Sequence, residues 1–282
     1  MEEIINSLTN VGVGTGLAVL GSKEILEKLL GPSADYIGNE TKNLIAKCNI
    51  NLDNIFSMAK KKTGSQLDDG SSVNPRVLKH IIDEGRFCED ELTAEYYGGI
   101  LASSRSNNKR DDRAVAMLAM VKDLSVYQLR FHYIFYSIIN KKFRGQDLNL
   151  GLSNDCNVTM KVFIPWEVFY GAMAFDETED FDSILSHTLN GLDKHGLIAL
   201  KAYGSAEFLH KQHGPRLQAH NGGMLLSPTL VGAELFLWAV GLSGASGREL
   251  LRVDVTDEIE GLVIPDGAKT IAEACALPSV KP

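Results

Sequence analysis

The sequence is short of cysteine, proline and positive charge, and each shortage removes a class of protein. Of 282 residues four are cysteine, at Cys48, Cys88, Cys156 and Cys275, and none forms a C-x-x-C pair. That excludes a dense disulfide framework and the usual thiol redox or cysteine-zinc motifs, and leaves reduced thiols as the expectation. Eight prolines are too few for a collagen-like or proline-rich disordered chain. Lys and Arg total 28 against 36 Asp and Glu, a net charge of -8. This balance argues against a nucleic-acid coat or a basic membrane-surface protein.

Long apolar runs are also missing. The stretch Ile4 to Ser22 holds 19 residues without a charge, near the roughly 20 of a spanning helix. It is polar at Asn6, Ser7, Thr9, Asn10 and Thr15 and diluted by four glycines, so it reads as a glycine-rich helix packed on a neighbour, with membrane contact as the lesser reading. Met1-Glu2-Glu3 is acidic where a secretory signal is basic. The expected location is cytoplasmic.

What is present is an ordinary globular composition, 44% hydrophobic and 23% charged, patterned mainly as α with a smaller α+β part. An N-terminal helical domain is expected over 1–145. Gly14 to Leu30 has helical spacing and ends at Gly31-Pro32. Ala34 to Ala59 carries Ile37, Leu44, Ile45, Cys48, Leu52, Ile55, Phe56 and Ala59 on one stripe. Its end runs into Lys60-Lys61-Lys62, cations suited to the carbonyl end of a helix. A polar linker follows near 64–72, then helices from Asn74-Pro75, from Glu89 to Ser104, from Arg113 to Leu124 capped by Asp111 or Asp112, and from Val126 to Asn140 capped by Ser125. Gly98-Gly99 inside a helix implies that another backbone lies against it.

From 155 to 245 the pattern predicts a winged-helix-like domain: a strand at Val158 to Ile164, helices from Pro165 and from Ser183 to His195, a strand at Leu197 to Tyr203, an irregular wing over 204–222, a strand at Gly223 to Leu226, and a helix from Ser227-Pro228 to Leu242. A C-terminal extension, 246–282, offers short strands at Leu250 to Val255 and Gly261 to Ile264 and a helix at Lys269 to Ala276.

Enzyme motifs fail by spacing. Gly12, Gly14 and Gly16 lack the strand and third glycine of a dinucleotide loop, and Gly16 to Lys23 transposes the Ser and Lys of a phosphate loop. Gly241 to Ser243 and Gly244 to Ser246 each miss a nucleophile elbow by one residue. His210, His213 and His220 lack a fourth metal ligand. No catalytic residue, metal or cofactor is therefore assigned. From Asp155 to Glu234, ten acidic residues face five basic ones, and the outward positions Ser186, His187, Asn190, Lys194 and His195 of the recognition-position helix supply one firm cation. Autonomous DNA binding is disfavoured.

Two surfaces remain as candidates. Arg105, Lys109, Arg110 and Arg113, with Gln128, Arg130 and His132 on the next helix, form a cluster suited to an anion or a partner's carboxylate, or to local neutralisation by Asp111 and Asp112. The helix Thr229 to Leu242, whose one charge is Glu234, is apolar all round and needs a cover. Leu235, Phe236 and Trp238 are its candidate interface with a second copy.

Three stretches together, LLGPSADYIG (Leu29 to Gly38), EYYGGILASSRS with DDR and LSVYQLRFHYIFY (Glu95 to Tyr136), and GLDKHGLIAL followed by LSPTLVGAELF (Gly191 to Phe236), resemble the abortive-infection alpha (Abi-alpha) family of bacterial phage-defence proteins. The resemblance spans most of residues 20 to 242 and rests on helix-packing and turn phrases. It implies a role in which the infected host stops growing or dies, and it brings no active-site residues. The expectation is a non-catalytic defence protein acting through protein contacts and self-association. The alternatives are a nucleic-acid-binding regulator using the wing and basic loop, a membrane-perturbing toxin using residues 4–22, and a hydrolase or nuclease whose site is assembled only in space.

Overall fold

A computed structural model describes residues 34–108, 110–242, 245–255, 259 and 262–275. The helix expected at Gly14 to Leu30, the uncharged stretch Ile4 to Ser22, and Lys109 lie outside the described residues. The fold is mainly helical. Among the described residues five helices come first: α1 (Ala34–Thr63), α2 (Pro75–Gly85), α3 (Glu91–Ser103), α4 (Ala114–Asp123) and α5 (Val126–Phe143). No helix among the described residues is long and apolar enough to cross a membrane.

The starts of these helices follow from local chemistry. The Asn74 side chain accepts the Arg76 N–H at 2.9 Å beside Pro75 at the first helical position, and Asp90 accepts the Thr93 N–H at 2.8 Å. Ser125 and Gln128 form a reciprocal capping box at the start of α5. The expected capping of α4 by Asp111 or Asp112 is corrected: no side chain caps that helix. Asp111 accepts the Arg113 N–H at 3.3 Å and holds the Arg113 guanidinium, and Asp112 pairs with Arg76, so neither carboxylate caps an N–H inside the helix.

The second half contains β1 (Val162–Pro165), α6 (Trp166–Met173), α7 (Phe181–Lys194), β2 (Ile198–Gly204), α8 (Ala206–His213), β3 (Gly223–Pro228), α9 (Leu230–Ala239), β4 (Lys269–Thr270) and α10 (Ile271–Cys275). The four strands form one antiparallel sheet in the order β2-β3-β1-β4. Val162 lies opposite Leu226 in β3 and Thr270 in β4, and β2 carries a register shift between Leu200 and Ala202.

Several expected boundaries are corrected. The alternating pattern from Val158 begins with a π-helical turn, Asp155–Thr159, and only Val162 onward pairs. The wing is not irregular throughout. Ser205 accepts the Phe208 N–H and starts α8, whose Leu209 is buried. Leu250 to Val255 forms no strand, because its Leu250 and Val253 carbonyls are taken by the Asn140 side chain at 2.6 and 3.0 Å. Of the expected terminal helix, Lys269–Thr270 is instead the edge strand of the sheet.

Both halves share one continuous hydrophobic cluster running from Ile55 to Ala268, with α5 contributing Phe131, Ile134, Phe135, Ile138 and Ile139. Two glycines allow the helices to close on each other. A β-carbon on Gly98 would lie 2.7 Å from Met58 Cβ of α1, and one on Gly99 would lie 1.6 Å from the Ala239 carbonyl oxygen of α9. Gly98 and Gly99 thus let α3 touch backbone on both sides, as the sequence implies.

Gly99→Ala is expected to lose about 3 kcal/mol or more of stability in urea unfolding, because the clash is with backbone and not with a side chain that can turn away. Gly171→Ala, where nothing lies within 4 Å, is the control and is expected to gain up to about 1 kcal/mol.

Candidate functional site

The structure disperses the basic cluster expected around the α3–α4 loop. Arg105 turns inward and clamps the linker: its guanidinium donates to the carbonyls of Gln66 (3.0 Å), Leu67 (2.8 Å) and Ser71 (3.3 Å) and pairs with Asp69 at 3.2 Å. The segment read as a free polar linker is accordingly a 3-10 turn, Gly64–Asp68, tied to Ser106 by the Ser72 bridge. A small polar cavity of about 160 Å³ beside Arg105 includes Lys62. Lys60, Lys61 and Lys62 fall in the last turn of α1 as expected, and Lys62 in addition is 7% exposed in its side chain and pairs with Glu95 of α3 at 3.0 Å. Arg113 is bidentate to Asp111 and lies over the Trp238 ring at 5.8 Å. Arg110 stays exposed.

The α5 members separate as well. Arg130 donates to the Ala172 carbonyl at 2.9 Å. His132 is fully buried, with Nδ1 2.6 Å from the Tyr96 hydroxyl and Nε2 3.1 Å from the Gly232 carbonyl. A carbonyl only accepts, so Nε2 carries the proton and the tyrosine hydroxyl donates to Nδ1. Burial holds the imidazole neutral, with its pKa lowered to about 3. It is a structural tie between α3, α5 and α9 and receives no anion. The candidate interface is corrected too: Leu235 and Phe236 are 0% exposed and Trp238 2%. The cover is the chain itself. Tyr133 stacks on Phe236 at 5.3 Å, and Ser103 donates to the Trp238 carbonyl at 3.0 Å.

Two of the thiols, Cys88 and Cys156, are held in the protonated form. Burial pushes the Cys88 thiol up to about 11 and raises Cys156 also. His210 meets the Leu217 carbonyl at 2.6 Å, and among the described residues no group of three His, Cys, Asp or Glu is arranged for a metal.

What the fold does bring together is a groove. Asp123, Leu124, Ser125 and Gln128, at the joint between α4 and α5, face Ser186, His187, Asn190, Gly191 and Lys194 of α7 and the following His195 across an open space of about 640 Å³. The approach is set by one glycine. A β-carbon on Gly191 would lie 1.9 Å from Gln128 Nε2, which donates to the His187 carbonyl at 3.1 Å while Gln128 Oε1 accepts the Ser125 N–H at 2.9 Å. Gln128 therefore fastens the two walls. His187 Nε2 lies 2.9 Å from Ser125 Oγ, an arrangement that resembles a nucleophile and base. The hydroxyl also caps α5, and among the described residues no acid orients the other imidazole nitrogen. The groove is furnished for binding: one ammonium, two imidazoles, two amides, two hydroxyls and the Asp123 carboxylate.

Sequence reasoning placed the outward residues of α7 correctly on one face and singled out Gln128, but it set them in separate surfaces. The signal available was Gly191, a glycine in mid-helix, whose close approach was read only at Gly98 and Gly99. No family profile matches the chain, and neither a curated protein nor a solved structure matches it significantly.

The neutral, buried His132 makes stability sensitive to mild acid. Its folded pKa lies below the unfolded value near 6.5, so the stabilisation is complete above that pH and is lost as pH falls toward 3. Between pH 7.5 and 5 the urea-derived stability is expected to drop by about 2 kcal/mol from this group. His213, lowered chiefly by burial, adds in the same direction. In His132→Gln the drop between those two pH values is expected to shrink to the smaller part that remains.

Proposed function

We propose that this chain is a bacterial phage-defence protein of the abortive-infection type that acts by binding a protein partner, without catalysis, and that the groove between the α4–α5 joint and α7 is where the partner is recognised. The defence role rests on the resemblance to the Abi-alpha family. The binding role rests on the convergence, in this groove, of polar side chains from separate elements.

The second half is read as winged-helix-like on the following grounds. Strands β1, β2 and β3 are antiparallel in the order β2-β3-β1, α6 and α7 lie between β1 and β2, and β2 returns through α8 to β3. In that reading α7 holds the recognition position. Its polar face forms one wall of a groove, however, and the opposite wall belongs to the same chain. A helix entering the DNA major groove needs that face clear and needs several phosphate-neutralising cations. Lys194 is the one firm cation of the groove. A short protein segment suits it better than a duplex. Self-association remains one form of the proposal, through a surface other than the buried Leu235, Phe236 and Trp238.

The test is phage challenge of bacteria expressing the protein. Wild type is expected to lower plaque formation, and Asn190→Trp, which fills the groove, is expected to lose at least about tenfold of that protection with an unchanged melting temperature. No protection by wild type removes the defence role. Protection retained by a folded Asn190→Trp removes the groove as the recognition site. Light scattering on the same protein reports whether the partner is a second copy.

A further inference from the structure

We infer that the α7 wall of the groove selects an acidic segment of a partner protein, gripping a carboxylate at the Lys194 end. The inference rests on the groove being the recognition site. The charges of the two walls are unequal. Lys194, His187 and His195 stand on the α7 side, and the one carboxylate lining the groove, Asp123, stands on the opposite wall. Among the described residues of the helical half, Lys47, Lys62, Lys79, Lys141 and Lys142 are matched to acids, as is Lys122 at the same joint, which pairs with Glu84 at 2.7 Å. Lys194 lines the groove and, among the described residues, has no such ion-pair partner. Asn190 stands between the two basic ends, its amide held by Ser186 Oγ at 3.1 Å. A carboxylate laid at the Lys194 end meets the ammonium beside His195, while the His187 imidazole is held by Ser125 Oγ at 2.9 Å, and a carboxylate laid along the other wall meets Asp123.

The dimensions set the length of the occupant. From Ser186 to His195 α7 rises about 13 Å, which an extended peptide covers in roughly four residues. The floor adds the apolar side chain of Leu124. An occupant of about four residues, extended, with one or two carboxylates and a small apolar group between them, satisfies both the charge and the span. The same arithmetic separates a peptide from a nucleic acid. A duplex presents phosphates at every step to a chain of net charge -8, whereas a short acidic segment presents its charge only where Lys194 and the histidines meet it.

The experiment uses the full chain and two labelled tetrapeptides, one carrying two glutamates around a leucine and one with glutamines in their place. Fluorescence anisotropy gives affinity, and amide shifts of Ser125, Gly191 and Lys194 give the place. The glutamate peptide is expected to bind with shifts at those three amides, weakening as salt rises. The glutamine peptide is expected to bind at least about fivefold more weakly, and Lys194→Glu to lose about the same factor while Lys194→Arg retains binding. Equal affinity for both peptides, an unchanged affinity in folded Lys194→Glu, shifts confined elsewhere, or tighter binding of a DNA duplex each overturns the inference. Phage challenge separates this failure from that of the groove itself. Protection lost in Asn190→Trp but kept in Lys194→Glu retires the acidic segment and keeps the groove, while protection kept in both retires the groove.

Discussion

The structure depends on the closure of α9 against α3 and α5. This helix is apolar around its whole circumference, and water is a poor solvent for every face of it. The chain covers it from both sides: Gly99 lets the α3 backbone reach the Ala239 carbonyl, and the aromatic face of α5 takes Phe236 against Tyr133 and Tyr136. Tyr96, His132 and Tyr136, caught in this contact, find partners, whereas the buried Trp238 Nε1 has no hydrogen bond among the described residues. Tyr96 donates to His132, His132 donates to the Gly232 carbonyl, and the Tyr136 hydroxyl donates to the Leu197 carbonyl while accepting the Thr229 N–H. An unmatched member of such a set costs more than the bond it would have made, so the network fixes one arrangement of the three helices.

That closure also places the groove. Tyr136 holds the end of the α7–β2 turn through Leu197, and one helical stretch earlier Gln128 holds α7 itself through the His187 carbonyl. α5 is thus the common support, its buried side fastened to α9 and its N-terminal turn fastened to α7. The walls of the groove are ends and faces of helices packed on one core, which gives the polar side chains fixed starting points. The acidic loop before α7 is consumed locally in the same cause. Asp176 accepts from Thr178, Asp180 from Ser183, and Glu179 from Tyr127 of α5.

Buried polar pairs explain why charge patterns in the sequence misled. Lys62 reads only as one of three cations at a helix end, and Arg105 as one of four in a loop suited to an anion or to local neutralisation, because spacing records only neighbours along the chain. In the fold Lys62 meets Glu95 and Arg105 meets the carbonyls of a turn almost forty residues earlier. Each cation was neutralised by a group from a distant element, which spacing does not display.

Local grammar was sufficient where the deciding interaction is local. Asn74-Pro75 and Ser125 set helix starts through bonds spanning two or three residues, and Gly98-Gly99 announced a close backbone approach before its partner was known, whereas the equally local cap at Ser205 reads in sequence as part of an irregular wing. The acidic balance, the scattered cysteines and the mainly helical pattern were likewise properties of composition and period. Only the tertiary structure decided that α9 is covered by its own chain, that His132 is a buried tie, that Arg105 clamps a turn, and that Gln128 and α7 share a groove. Each of these joins residues from about forty to more than a hundred positions apart, and their energies come from desolvation and geometry that exist only once the helices have packed.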